Sequence, residues 1–220
     1  MRAVVLGGYG LIGAACVRAL ARAGFEVTGV GRSARAARAS GLAVDWVIAD
    51  IGRLPVSGWR EALAGADVVV NAAGALQDGA RDDLEAVHVT AVERMVAALA
   101  GSGMRVVQVS AAGVRADAPL AFFETKARGD AALMRSDLDW VVLRPVLVLA
   151  PAGYGGTALL RAVASLPGVL PRVLPGAVVQ TVFIDDLAGA VVAAALGRVA
   201  PGTLAALTEA EAHSLPELIA

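Results

Sequence analysis

A run of glycines near the N-terminus has the spacing of a phosphate-binding turn. Gly7, Gly10 and Gly13 follow the apolar residues Val4-Val5-Leu6 and open a long apolar stretch. In such a turn the first glycine lets the chain reverse, the second admits a diphosphate, and the third lets the helix pack on the sheet. The first N–H groups of the helix have no partners within it and face the anion. The sequence predicts a dinucleotide site whose phosphate side is formed by Gly7, Tyr9, Gly10, Leu11, Ile12 and Gly13.

The residues after the second predicted strand indicate which dinucleotide is preferred. Proteins that prefer NAD usually carry Asp or Glu here, which accepts a hydrogen bond from the 2′-hydroxyl of the adenosine ribose. This chain has Arg32 and Ser33 instead, and a guanidinium can bind a 2′-phosphate through two N–H groups. NADP(H) is therefore the expected cofactor, with NAD as the alternative. In the other interpretation, Arg32, Arg35 and Arg38 are solvated charges at the beginning of a helix.

Two further strand ends provide candidate nucleotide contacts. Asp50-Ile51 closes the third predicted strand, where the carboxylate could accept a hydrogen bond from the adenine amino group or stabilise a turn. The fourth predicted strand ends in small residues, which would let the chain pass close under the nucleotide or would simply end the strand at a glycine turn. These residues are Asn71, Ala72, Ala73 and Gly74.

One basic residue differs in type from all the others. The chain has 19 Lys and Arg residues, and Lys126 is the only lysine among them. A composition that uses Arg wherever either residue serves would keep a lysine where a compact ammonium is needed, for instance to hold ribose hydroxyls or to lower a neighbour's pKa. Chance retention is the alternative. Lys126 is therefore a candidate cofactor-binding and catalytic residue.

The elements that must position these residues follow an alternating pattern. Short β-branched runs alternate with longer helical patterns, as expected for parallel strands joined by crossover helices. With helices on both faces, the pattern predicts a doubly wound α/β fold in which the strand ends share one edge. The predicted strands are residues 2–6, 26–30, 45–49, 67–71, 105–110 and 140–143, and the predicted helices are residues 11–23, 34–39, 59–64, 81–99 and 120–135.

The sequence changes character after Pro151. Residues 1–150 are predicted to form an NAD(P)-binding Rossmann domain, and residues 151–220 a partial substrate-side lobe with elements that return to the Rossmann core. The lobe begins with Gly and Pro turns, continues with a predicted strand at 178–183, and ends in a helix-like stretch from Ser214. Asp185 and Asp186 are interpreted as the N-cap and first-turn acid of a helix, without a chemical role.

Composition and charge exclude several classes of function. The chain is 57% hydrophobic with a formal net charge of -1, so no basic excess points to nucleic acid or to an anionic membrane surface. A single cysteine and two distant histidines form neither a disulfide nor a metal site. The most apolar segments are too short to cross a bilayer. We therefore expect a cytoplasmic protein with no metal, no nucleic-acid partner and no membrane span.

Taken in order, the motifs resemble the short-chain dehydrogenase/reductase superfamily. Within it, they are similar to the extended or atypical branch that includes the nucleotide-binding accessory subunit of respiratory complex I and bacterial NAD-dependent epimerase/dehydratase-like proteins. The resemblance covers roughly the first 200 residues. It rests on the glycine turn, Asp50-Ile51, Asn71 to Gly74, Val109-Ser110-Ala111, Thr125-Lys126-Ala127, Leu143-Arg144-Pro145 and residues 182–188.

The resemblance implies roles for a catalytic set. In competent relatives a Tyr protonates the carbonyl, a Lys holds the nicotinamide ribose and lowers the Tyr pKa, and a Ser orients the substrate. Ser110 and Lys126 match, but Phe122 stands at the Tyr position and has no proton to donate. Tyr154 could supply a hydroxyl instead or be an ordinary loop residue. His88 stands where many relatives carry Asn, and could donate a hydrogen bond or pack between helices.

Two functions therefore remain open. One is an NADP(H)-dependent reductase of a small apolar carbonyl, enone or quinone, in which Ser110 and Lys126 position substrate and cofactor. The other is a non-catalytic dinucleotide-binding module that senses redox state or stabilises an assembly. The sequence identifies neither the small-molecule substrate nor a protein partner, because the apolar residues after Pro151 predict only a hydrophobic ligand or surface.

Overall fold

A parallel β-sheet forms the centre of the computed structural model, which describes residues 1–79, 82–151 and 178–214. The strands are β1 (Arg2–Leu6), β2 (Glu26–Gly31), β3 (Asp45–Ile48), β4 (Val68–Asn71), β5 (Arg105–Val109), β6 (Asp139–Pro145), β7 (Leu147–Leu149), β8 (Val178–Phe183), β9 (Thr203–Leu207) and β10 (Ala212–Ser214). Seven of them form the sheet in the order β3-β2-β1-β4-β5-β6-β9, and every neighbouring pair is parallel. The order reverses beside β1, so β1 and β4 flank the crevice where such sheets bind ligands.

Helices cover both faces of this sheet. They are α1 (Leu11–Arg22), α2 (Ala34–Ala39), α3 (Val56–Ala62), a π-helical turn (Ala86–Thr90) that continues directly into α4 (Ala91–Leu99), α5 (Ala121–Met134) and α6 (Ile184–Ala195). Alternate β1 residues enter opposite cores, because successive strand side chains point to opposite faces. Val5 packs with Leu20 of α1 and Val191 of α6, and Val4 packs with Trp59 of α3 and Met95 of α4. The predicted doubly wound Rossmann fold is confirmed.

The boundaries differ from the predictions in a few places. The predicted helix 81–99 begins at a residue outside the described ones and includes a π-helical turn. Asp185 is not an N-cap, because Phe183 holds that position and both aspartates lie in the first turn of α6. Ser214 is the last residue of β10, and the helix-like stretch predicted from it continues into residues 215–220, which lie outside the described part of the chain. Strands β7, β9 and β10 were not predicted, since each is short and lacks a strong β-branched run.

Part of the C-terminal region packs into the main sheet. Strand β9 extends the sheet beside β6, and α6 covers the same core as α1. A separate small sheet has the order β10-β8-β7. The predicted substrate-side lobe comprises residues 151–220, of which residues 152–177, Tyr154 among them, and residues 215–220 lie outside the described part of the chain. The division at residue 150 stays a prediction.

Crossing a bilayer takes a helix of about 20 mostly apolar residues. None of the helices in the described ranges is both long and apolar enough to do so.

Candidate nucleotide-binding site

The glycine turn between β1 and α1 is a tight backbone cradle. Gly7 has φ +69, and a Cβ at this position would lie 2.8 Å from Cα of Ala73, so only glycine fits. The N–H of Gly10 donates to the Gly7 carbonyl oxygen at 2.9 Å. A Cβ on Gly13 would overlap that same carbonyl oxygen. Gly13 therefore lets the helix close on the turn itself, rather than on the sheet as the sequence predicts.

The N-terminus of α1 is open toward an anion. Gly10 is its N-cap, and no side chain caps this end. The first N–H groups of an α-helix, here those of Leu11 and Ile12, have no partner within the helix. They provide donors and the positive end of the helix dipole for a diphosphate. The residues present thus fit a dinucleotide.

A cleft of about 560 Å³ lies above the ends of β1, β2 and β4. Nine predicted cofactor residues line it: Gly7, Tyr9, Gly10, Arg32, Asp50, Ile51, Ala72, Ala73 and Gly74. The predicted residues Leu11, Ile12, Gly13, Ser33, Asn71, Ser110 and Lys126 are not among its lining residues. Sequence reasoning missed the lining residues Val30, Gly31, Ala49, Ala75, Leu76, Gln77, Asp82 and Val87.

Tyr9 shapes the end of the cleft beside β2. Its hydroxyl oxygen accepts a hydrogen bond from the N–H of Arg32 at 3.1 Å. A Cβ on Gly31 would overlap the Tyr9 ring, so the glycine before Arg32 makes room for this aromatic side chain. The Trp46 ring supports Tyr9 from the side, with centroids 5.8 Å apart.

Arg32 and Ser33 make different contacts at this end. The Arg32 guanidinium donates to Oδ1 of Asp82 at 2.6 Å, and this hydrogen bond raises the pKa of Arg32. The two side chains are about equally exposed, at 44% and 43%, and both line the cleft. Ser33 caps α2, because its Oγ accepts from the N–H of Ala36 at 3.2 Å. Arg32 therefore faces the cleft, whereas Ser33 acts within its own helix.

Asp50 and Asn71 each stabilise a turn at a strand end. Oδ1 of Asp50 accepts from the N–H of Gly52 at 3.2 Å, and Asp50 also lines the cleft. Asp50 therefore stabilises a turn and is at the same time placed where a nucleotide could contact it. Asn71 is buried. Its amide donates to Oε1 of Gln108 at 2.8 Å, and its Oδ1 accepts from the N–H of Ala73 at 3.2 Å. Asn71 thus shapes the loop under the cleft from within the core.

Lys126 is a buried ammonium beyond the end of the cleft that carries Gly74. Its Nζ donates to the Val109 carbonyl oxygen at 3.3 Å, and a Cβ on Gly74 would lie 3.7 Å from Nζ. Burial lowers the pKa of Lys126 to about 8, and the opposing charge of Asp130 partly offsets this shift. Lys126 is therefore an ammonium whose proton is labile near neutral pH.

Ser110 belongs to a buried polar network on the same side. Its hydroxyl donates to Oδ2 of Asp130 at 2.7 Å, and the same oxygen accepts from Nη2 of Arg144 at 3.0 Å. Asp130 is fully buried, and its Oδ1 has no hydrogen-bond partner within the described residues. Sequence reasoning missed Asp130, although its position four residues after Lys126 puts both on one helix face.

His88 connects the cleft wall to α5. Its Nε2 accepts from the N–H of Ala75 at 3.2 Å, and its Nδ1 lies 2.9 Å from Oγ1 of Thr125. That hydroxyl donates to the carbonyl oxygen of Ala121 at 2.7 Å, so the network assigns the proton to Nδ1. Burial, and then the charge of Lys126, lower the His88 pKa to about 3. The histidine is neutral, and it both packs and forms hydrogen bonds.

Phe122 occupies the position expected for the phenol. Its ring lies edge-on to His88 at 5.7 Å between centroids, and Nζ of Lys126 lies 5.7 Å from its ring centroid. The close approach of α5 to the π-helical turn explains this grouping, because a Cβ on Gly129 would overlap the His88 carbonyl oxygen. The aromatic ring, the imidazole and the ammonium therefore form one cluster that lacks a phenolic hydroxyl.

The fold and the cleft define a Rossmann-type nucleotide-binding protein. The family model described as NAD(P)H-binding matches residues 7–164, which is more than half of the chain. The protein therefore belongs to this NAD(P)H-binding family. No curated protein sequence matches the chain.

Solved structures share the fold at low sequence identity. The Bordetella bronchiseptica enzyme WbmG, in complex with NAD and UDP, superposes with a TM-score of 0.81 at 20% identity, covering 99% of this chain and 75% of that one. The UDP-glucose 4-epimerase of Thermus thermophilus, in complex with NAD, has a TM-score of 0.77 at 22% identity, covering 100% and 81%. Pal from Bacillus thuringiensis has a TM-score of 0.80 at 17% identity, covering 100% and 81%. The protein is thus similar in fold to enzymes crystallised with NAD.

Proposed function

We propose that the protein is an NADP(H)-dependent reductase of a small apolar carbonyl, enone or quinone. The observation that carries this proposal is the buried Lys126 ammonium, which lies beside Gly74 at one end of a cleft that begins at the glycine turn. A cofactor bound along the cleft would have its diphosphate at the N-terminus of α1 and its reactive end near Lys126. Binding and chemistry would then share one continuous site.

The preference for NADP(H) rests on Arg32. It lines the cleft after β2, at the position where an acidic residue would favour NAD. A guanidinium here can bind a 2′-phosphate, and Gly31 beside it adds no negative charge. Two of the structurally similar enzymes are complexes with NAD, so NAD is the alternative cofactor.

The protein's own contribution to the proposed reduction is the proton that the acceptor takes up along with the hydride. A bound reduced nicotinamide would supply a hydride to the acceptor. Without a phenol at position 122, the Lys126 ammonium is the candidate proton donor among the described residues, and its pKa of about 8 suits a general acid at neutral pH. Conjugated acceptors also tolerate protonation by water, so an enone or quinone demands less of the protein than a simple ketone.

A second function is supported by two specific observations. Phe122 cannot donate a proton, and Ser110, whose hydroxyl donates to Asp130, is not among the residues that line the cleft. Both features fit a non-catalytic module that binds the dinucleotide to sense redox state or to stabilise an assembly. In that case the cofactor would stabilise the fold without being consumed.

One experiment separates the two functions. We expect tight NADPH binding by calorimetry, and NADPH oxidation with a panel of quinones, enones and ketones that is lost in Lys126→Met. Lys126→Arg is the matched variant, because it keeps the charge while replacing the labile ammonium with a guanidinium that stays protonated. Binding without turnover across the panel would favour the module. Absence of binding of both NADPH and NADH would contradict both functions.

A further inference from the structure

The ion pair between Arg32 and Asp82 joins two separate parts of the cleft. Arg32 follows β2, and Asp82 lies 50 residues further along the chain, before the π-helical turn. Their side chains meet at 2.6 Å and each remains more than 40% exposed. Because both also line the cleft, this contact lies where a ligand would reach it.

The formal charge of the cleft lining disfavours binding of a 2′-phosphate beside Arg32. Arg32, Asp50 and Asp82 are the charged residues among its described lining residues, which gives a formal sum of -1. A 2′-phosphate needs the guanidinium for charge-assisted hydrogen bonds, and Asp82 already accepts one of them. A free 2′-hydroxyl needs no cation, and a carboxylate can accept its proton in a hydrogen bond.

We propose that Asp82 determines the choice between NADP(H) and NAD(H) by competing with the 2′-phosphate for Arg32. This inference rests on the proposed cofactor-binding function. NADP(H) must draw Arg32 away from Asp82 and tolerate the carboxylate beside the phosphate, whereas NAD(H) leaves the ion pair intact. Asp82 therefore restrains the preference for phosphate that Arg32 alone would produce.

The test compares the affinities of NADP⁺ and NAD⁺ in Asp82→Asn. The substitution keeps the shape of the side chain and removes its charge. Exposed ion pairs contribute up to about 1 kcal/mol, which corresponds to about fivefold in affinity, so we expect NADP⁺ to bind about fivefold more tightly and NAD⁺ to change less than about twofold. Calorimetric titration of the whole chain measures both, with 2′,5′-ADP and 5′-ADP as fragments that isolate the phosphate.

Two further variants make the result specific. Asp117→Asn is the matched control, because Asp117 pairs with Arg115 at 3.1 Å on an exposed surface away from the cleft lining, and it should change neither affinity. The double variant Arg32→Ala with Asp82→Asn should lose the gain in NADP⁺ affinity. Equal changes for both dinucleotides in Asp82→Asn, or no change, would overturn the role of Asp82 while leaving dinucleotide binding intact. If the unmodified protein binds neither dinucleotide, the proposed function itself fails.

Discussion

The two ends of the cleft are built in different ways. At the glycine turn, close backbone contacts require glycine at both positions: a Cβ on Gly13 would meet the Gly7 carbonyl oxygen, and a Cβ on Gly7 would meet Ala73 in the neighbouring loop. At the other end, the surroundings of Lys126 depend on side chains of Ser110 after β5, of α5, of β6 and of the π-helical turn. The first end follows from local geometry, and the second from tertiary packing. Dinucleotide binding can therefore persist when a single side chain, such as the missing phenol, changes the chemistry.

The largest expected effect would come from restoring the phenol at the second end. Phe122→Tyr places a hydroxyl on a ring whose centroid lies 5.7 Å from Lys126 Nζ, and the ammonium would lower its pKa. A general acid contributes about 10²–10⁴-fold in rate, so we expect ketone reduction with NADPH to rise at least about 100-fold. Steady-state kinetics on a ketone panel measures this.

Phe123→Tyr is the matched control, because Phe123 packs edge-on against Phe122 at 5.0 Å but does not occupy the expected Tyr position. It should not raise ketone reduction. If Phe122→Tyr binds NADPH normally yet gains nothing, the second end does not bind an acceptor, and the comparison of the two ends would favour the non-catalytic module.

The next effect concerns the single lysine. Its pKa is about 8 in the folded protein, against an ordinary value of 10.5, so the unfolded chain binds more protons between these two pH values. Stability should therefore rise as pH increases from about 8 to about 10.5, by up to about 3 kcal/mol. Chemical denaturation across this pH range measures the rise, and Lys126→Met should remove it.

The pKa of Lys126 can be measured directly by NMR. Isotope-labelled lysine gives one side-chain NMR signal, because the chain contains one lysine. We expect its midpoint near pH 8, and a lower midpoint in Asp130→Asn, since the charge of Asp130 raises the pKa. A midpoint near the ordinary value would mean that the ammonium is solvated and that the second end is open to water.

Substitution at the glycine turn tests the first end. A Cβ on Gly13 would overlap the Gly7 carbonyl oxygen, so Gly13→Ala must displace the turn, and overpacking of this kind costs about 1–3 kcal/mol. We expect NADP⁺ and NAD⁺ binding to weaken together by at least about tenfold. Gly189→Ala in α6 is the matched control, because no atom of the described residues outside its own helical turn lies within 4 Å of the added Cβ, and replacing an unconstrained helix glycine stabilises by about 0.5–1 kcal/mol. Unchanged dinucleotide affinity in Gly13→Ala would place the diphosphate elsewhere.

The predictability of the site follows the same division. The six strands at residues 2–143, the glycine turn and most of the cleft lining were predicted, because each is encoded by local spacing and by strand ends that share one edge. The partnership of Arg32 with Asp82 was not predicted, since a contact 50 residues apart leaves no local pattern. The partnership of Ser110 with Asp130, 20 residues apart, was missed as well, although the spacing of Asp130 from Lys126 was a usable signal. Strand β9 was missed because Thr203–Leu207 is short and alanine-containing.

His88 is where the two ends are physically joined. It accepts a hydrogen bond from Ala75 in the cleft wall and donates one to Thr125 beside Lys126. His88→Phe preserves a buried ring but leaves the Ala75 N–H without its partner, which costs about 1–3 kcal/mol. We expect thermal unfolding to report this loss at pH 7. Dinucleotide affinity should fall less than in Gly13→Ala, because the turn itself is untouched.

The pH dependence of stability distinguishes the hydrogen bonds of neutral His88 from simple packing of its ring. The pKa of His88 is about 3 in the folded protein and 6.5 ordinarily, so the unfolded chain binds more protons between these values. The contribution of neutral His88 is complete above about pH 6.5 and is lost as pH falls toward 3. The difference in stability between the parent and His88→Phe should therefore shrink as pH falls below 6.5. A difference that stays constant from pH 7 to pH 4 would mean that His88 titrates normally, and that the two ends of the cleft are connected by packing alone.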